Sequence, residues 1–66
     1  MRRQPEYIGY SDSTYANEAR VMQSRITIRR ARGKVVTSDM LWSWIKERRP
    51  GWRELDWEKV FQRVKL

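Results

Sequence analysis

The stretch from Val36 to Trp52 holds a helix start signal, an apolar face and a stop signal in one run. Thr37 or Ser38 can cap its first turn, because either hydroxyl accepts from a backbone N–H that has no partner inside the helix. Asp39 suits the positive end of the helix dipole, and Val36 and Leu41 stand at the two positions of a hydrophobic staple around a Thr37 cap. Leu41, Trp44, Ile45 and the stem of Arg48 fall on one side. Arg48 and Arg49 suit the negative end, and Pro50-Gly51 terminates the run. The chain is expected to fold around this short, aromatic-rich helix.

Partners for its apolar face are found on both sides. Ser11, Asp12 and Ser13 are candidate caps before a helix from Thr14 to Ala31, in which Tyr15, Ala19, Met22 and Ile26 are spaced at four, three and four residues. Gly33 is a good terminator, and Arg25, Arg29, Arg30 and Arg32 gather toward the negative end. A second reading competes here. Arg25 to Arg29 alternates polar and apolar with β-branched residues, and Lys34 to Thr37 can pair with it as a hairpin across Ala31-Arg32-Gly33. The Arg, Ala, Met and Gln content and the upstream phase favour the helix. After Pro50-Gly51, Leu55 and Asp56 repeat the start signal: Asp56 is read as the cap and Leu55 as a staple onto Val60. Trp57, Val60, Phe61 and Val64 then form a one-sided stripe in a last helix running to the end of the chain. The expected fold is an all-α, three-helix bundle over residues 12–66, preceded by a basic arm over residues 1–11. In that arm Arg2, Arg3, Pro5 and Gly9 discourage regular structure, while Tyr7, Ile8 and Tyr10 can lie on the core or form a short edge strand.

At 66 residues such a domain buries only about 60% of its unfolded surface, so its margin is small without a staple. Cysteine and histidine are both absent, which removes disulfides and zinc sites. Four Trp, three Tyr and one Phe are the expected compensation, since each aromatic buries a large area.

The same absences bear on chemistry. General bases and nucleophiles reduce to carboxylates, Lys, Tyr and Ser/Thr. Asp39, Asp56 and Glu58 sit where helix-start residues belong, and capping is favoured over a weak metal site at Asp56 and Glu58. No glycine loop for phosphates is present. The expectation is no enzyme, no cofactor and no metal.

Charge points elsewhere. Lys and Arg number 15 against 8 Asp and Glu, a net charge of +7, and Arg predominates, which favours planar recognition of phosphate and carboxylate. Between Ala19 and Ser38 there are six basic residues (Arg20, Arg25, Arg29, Arg30, Arg32 and Lys34) and no acidic one. Arg48, Arg49 and Arg53 surround the following turn. Together these make a candidate stripe along phosphates, with DNA favoured over RNA. No apolar run approaches the ~20 residues of a membrane span and the N-terminus lacks a signal-peptide core. A cytoplasmic setting, or the host cytoplasm for a viral chain, is therefore expected, without membrane contact.

The order of basic helix, Gly33 to Asp39, second helix, Pro50-Gly51-Trp52 and the run Leu55 to Val64 resembles the three-helix core of helix-turn-helix and winged-helix DNA-binding domains, over about Ala19 to Leu66. That resemblance implies a small DNA-binding regulator whose third helix enters the major groove. Trp57, Val60, Phe61 and Val64 would be the buried side of that helix. Lys59, Gln62, Arg63 and Lys65 would be its reading side, with Gln62 and Arg63 able to discriminate base edges.

A competing expectation is a small protein-binding inhibitor or adaptor, in the style of phage proteins that disable host factors, whose Arg and Trp surface meets an acidic partner. Trp42 and Trp52 are expected at the rim of the core and become interaction anchors if exposed. Val21 and Ile28 stand off the buried stripe, seven residues apart, and invite a homodimer through the first helix.

Overall fold

A computed structural model describes residues 9–66. Most of the expected N-terminal arm, including Arg2, Arg3, Pro5, Tyr7 and Ile8, lies outside the described residues. Three helices follow in order: α1 over Asp12–Ala31, α2 over Ser38–Arg48 and α3 over Glu54–Arg63. The described residues contain no strand, so the stretch Arg25 to Ala31 is helical and the hairpin alternative is excluded.

The ends of α1 and α2 follow local chemistry. Ser11 caps α1, its hydroxyl accepting from the Thr14 N–H, and Thr37 caps α2 by accepting from the Met40 N–H at 3.2 Å. Val36, one residue before that cap, packs against the core that contains Leu41. At the far end of α1 the Gly33 N–H donates to the Arg30 carbonyl at 3.0 Å and the Lys34 N–H to the Arg29 carbonyl at 2.9 Å. This Schellman pair requires a left-handed residue between the two bonds, and Gly33 supplies it with φ of +75°.

The start of α3 differs from the expectation. Its N-cap is Arg53, and Asp56 is the third helical residue rather than the cap. From there the Asp56 carboxylate reaches back to accept from the Arg53 backbone N–H at 3.4 Å. Leu55 is 60% exposed, so the staple onto Val60 does not form. The helix also ends at Arg63, with Val64 already extended, instead of running to Leu66. The helix starts about one turn earlier than Asp56 implies, because an acidic residue suits the first turn as well as the cap.

The three helices enclose Tyr15, Ala19, Met22 and Ile26 of α1, Leu41, Trp44 and Ile45 of α2, and Val60 of α3. Each such side chain contributes about 1.5–3 kcal/mol of burial where it is large and apolar. The expected stripe on α3 is only partly inside. Val60 is fully buried, whereas Trp57, Phe61 and Val64 are half-buried against the edge of the core. The line of α3 that faces inward runs through Asp56 and Val60, one turn apart, and this displaces the aromatics to the flank.

Helix direction is legible from the contacts. Tyr15 meets Asp56 and Gln23 meets Lys65, so α1 and α3 advance together. Glu18 meets Arg48 while Arg25 meets Trp44, so α2 runs the opposite way. Along α1, one flank faces α2 and the other faces α3. No helix among the described residues is long and apolar enough to cross a membrane.

Candidate nucleic-acid interface

The second half of α1 carries the densest positive charge, and Trp44 of α2 organises it. Trp44 is 8% exposed, and its ring lies under two guanidinium groups. The Arg25 Cζ stands 4.3 Å from the ring centroid and the Arg29 Cζ 5.5 Å. Both Arg residues reach toward α2 because they share the flank that includes Glu18 and Met22, at spacings of three and four residues. Cation–π attraction holds them without neutralising them. The Arg29 Nε is buried and has no hydrogen-bond partner among the described residues. Arg30 turns to the other flank, where its Nη2 donates to the Leu66 backbone oxygen. Arg32 and Lys34 are exposed at the helix end. Among the described residues, no Asp or Glu side chain pairs with Arg25, Arg29, Arg30, Arg32 or Lys34.

The basic residues at the α2–α3 turn are differently employed. Glu18 of α1 is buried and takes two of the three: Arg48 Nε lies 2.5 Å from its Oε2, and Arg49 Nη2 lies 2.7 Å from its Oε1. Burial alone raises the Glu18 carboxyl, but the hydrogen bonds from Arg49 and Arg48 outweigh it and hold the group below its ordinary range. The same bond raises Arg49. Arg49 also stands over the Trp52 ring at 5.2 Å. Arg53 is exposed at the α3 cap position, its backbone N–H held by Asp56. The expected stripe therefore divides into cations on and just after α1 that no described Asp or Glu pairs with and, at the turn, Arg48 and Arg49 committed to a buried carboxylate.

On α3 the expected reading side splits as well. Lys59 and Arg63 turn toward the start of α1, where both stand over the Tyr15 ring, at 5.2 and 5.7 Å. Arg63 Nη2 also pairs with Asp12 at 3.1 Å, a surface pair of small value. Gln62 lies on the outer face and donates to Glu58 at 3.3 Å. With Asp56 and Val60 inward, that outer face presents Leu55, Glu58 and Gln62. Lys65 holds the segment after α3 against α1: Gln23 accepts from its N–H at 2.8 Å and donates to its carbonyl at 2.9 Å.

Of the protein-interaction candidates, the two tryptophans are engaged internally. Trp42 stacks on Phe61 with centroids 4.7 Å apart and planes at 16°. The Lys46 ammonium stands 5.6 Å from the Trp42 ring and 5.7 Å from the Trp57 ring. Trp52 stacks on Tyr10 at 4.7 Å and meets Tyr15 edge-on at 5.8 Å. Val21 and Ile28 remain exposed.

Glu18, Gln23 and Lys46 are not marked as organising residues by the sequence, and Asp56 is marked only as a cap, yet all four position much of this surface. Glu18 had a signal, since it falls within the helical phase of Tyr15, Ala19 and Met22; Asp56 likewise stands one turn before Val60. The described residues hold no group of three acidic side chains placed to bind a metal ion. Compared with known proteins, the chain matches no family model, no curated protein and no solved structure.

Proposed function

We propose that this chain is a non-enzymatic nucleic-acid-binding domain that holds the phosphate backbone, of duplex DNA in preference to RNA, through the second half of α1. One observation carries the reading: Arg25 and Arg29 are fixed over Trp44, with Arg30, Arg32 and Lys34 beside them in sequence, and among the described residues no Asp or Glu side chain pairs with any of them. Guanidinium groups that are already ordered lose little freedom on meeting a phosphate, and no side-chain ion pair among the described residues has to break first. Trp44 contributes a hydrophobic support that fixes direction while leaving the charge available. Arg48, Arg49 and Arg53 flank the contact at the α2–α3 turn, although Arg48 and Arg49 share their charge with Glu18.

The finer form of the proposal is a regulator of transcription of helix-turn-helix type, acting in the cytoplasm or, for a viral chain, in that of its host. In that form Gln62 and Arg63 discriminate bases and Lys59 supports them. Gln62 then exchanges Glu58 for a base edge, and Arg63 releases Asp12.

The test is a titration of the protein with duplex DNA, single-stranded DNA and RNA at about 50 and 200 mM salt. Five phosphate contacts predict a slope of log affinity against log salt near −4 to −5 on duplex DNA. A slope near zero, or no binding to any nucleic acid at the lower salt, overturns the reading.

A further inference from the structure

The outer face of α1 pairs exposed apolar side chains with positive charge that no described Asp or Glu opposes, and this combination fits a partner other than nucleic acid. Val21 is 39% exposed and Ile28 54% exposed. They stand two helical turns apart, about 10.5 Å along the axis, with Ser24 between them. Arg20, Gln23, Ser24, Thr27 and Ile28 line an open cleft of about 400 Å³ along the same face. Arg20 lies on one side of the Val21–Ile28 ridge and Arg25 on the other, both exposed, and Arg32 follows one turn beyond Ile28.

We infer that this face docks an acidic amphipathic helix of a protein partner. Such a helix presents apolar anchors at spacings of three, four and seven residues, which match the Val21–Ile28 ridge, and carboxylates on both flanks, which match Arg20, Arg25 and Arg32. A second copy of this chain fits less well. A two-fold contact through α1 brings two arginine-rich faces together, with no acidic residue between Ala19 and Ser38 to compensate. Nucleic acid satisfies the arginines but offers nothing to Val21 and Ile28. Because Arg25 and Arg32 serve both contacts, the acidic helix and DNA exclude one another, so the partner acts as a competitor for the nucleic-acid face. The inference rests on Val21 and Ile28 and stands independently of the DNA reading.

The probe is a synthetic helix of about 21 residues with leucines along one face and glutamates on both flanks. Its control carries lysines in place of the glutamates. Binding of fluorescent peptide is followed by anisotropy for the wild type and for a Val21→Ser, Ile28→Ser variant, whose fold is checked by thermal melting. The acidic peptide is expected to bind the wild type, to lose about tenfold in affinity on the variant, and to displace duplex DNA where DNA binds. The variant is expected to keep its DNA affinity within about twofold, since both substituted residues are uncharged. Equal peptide affinity for variant and wild type, binding of both peptides alike, or no peptide binding overturns the inference. Concentration-dependent dimerisation abolished by the two serines does the same, by assigning the face to a second copy. Peptide binding without any DNA binding upholds this inference while removing the nucleic-acid proposal.

Discussion

The Tyr15 hydroxyl donates to the Asp56 carboxylate at 2.5 Å across 41 positions of sequence, and both side chains are buried. The Tyr10 N–H donates to the same hydroxyl at 2.8 Å, and the other Asp56 oxygen accepts from the Arg53 N–H. One carboxylate thus ties the segment before α1, the body of α1 and the first turn of α3 together. A buried acid is tolerable only when its oxygens are satisfied, and here donors serve both.

Removing one donor should be costly. Tyr15→Phe keeps the ring and its packing but takes the hydroxyl from a buried carboxylate, and should destabilise by about 1.5–3 kcal/mol. Urea denaturation measures this directly. A loss under about 0.5 kcal/mol would show that the pair contributes nothing beyond shape.

The ionisable groups predict two limbs in a stability–pH profile. Glu18 is lowered from 4.5, burial being outweighed by Arg49 and Arg48. Its folded state therefore binds its proton less readily than the unfolded chain, and its contribution is present above about pH 4.5 and lost as pH falls. Tyr15 is raised from 10.0, first by burial and then by its bond to Asp56. Its contribution is present below about pH 10 and lost as pH rises through the folded value. Melting temperature should fall at both extremes, and Glu18→Gln should make the acid limb shallower. An acid limb of unchanged slope in that variant would remove Glu18 from the account.

Core substitutions should follow burial rather than side-chain size. Leu41→Ala, at a fully enclosed site, and Trp44→Ala should cost about 2–5 and 3–5 kcal/mol respectively. Phe61→Ala should cost less than either, because Phe61 sits half-exposed on Trp42. The order is read from denaturant midpoints, and a Phe61 effect equal to that of Trp44 would place it inside the core.

The proposed interface predicts two kinds of loss. Arg25→Ala, Arg29→Ala and Arg32→Ala should weaken binding to all DNA sequences alike, each flattening the salt slope by about one unit. Gln62→Ala and Arg63→Ala should cost about 1–3 kcal/mol on a preferred sequence and little on random DNA. Arg48→Ala should instead lower thermal stability, since it leaves Glu18 with one partner. Unchanged DNA affinity in all five variants of α1 and α3 would remove the nucleic-acid reading.

Features set by neighbours in sequence were legible in advance. Ser11, Thr37 and Gly33 act within a turn of their own positions, and the stripe Tyr15, Ala19, Met22 and Ile26 repeats at the helical period, so two helices and their shared core could be read directly. Asp56 was misread because its first-turn chemistry is local while its burial depends on Tyr15. Arg48 and Arg49 suit a helix end and a phosphate stripe on local grounds, and their pairing is hidden because Glu18 lies 30 and 31 positions away. The same holds for Trp44: its position on the apolar face was plain, but its role beneath Arg25 and Arg29 requires that α2 turn back along α1.

That return passes through Gly33, where the backbone is left-handed and an added Cβ would meet nothing within 4 Å. The demand at this corner is one of chirality and not of room. An L-alanine at 33 should strain the turn by about 1 kcal/mol. A D-alanine, introduced by chemical synthesis, suits the observed φ and restricts the unfolded chain, so it should raise the melting temperature above that of the natural sequence. The direction in which α2 leaves α1, and with it the side on which Trp44 meets two arginines, then hangs on the mirror-image preference of a single residue.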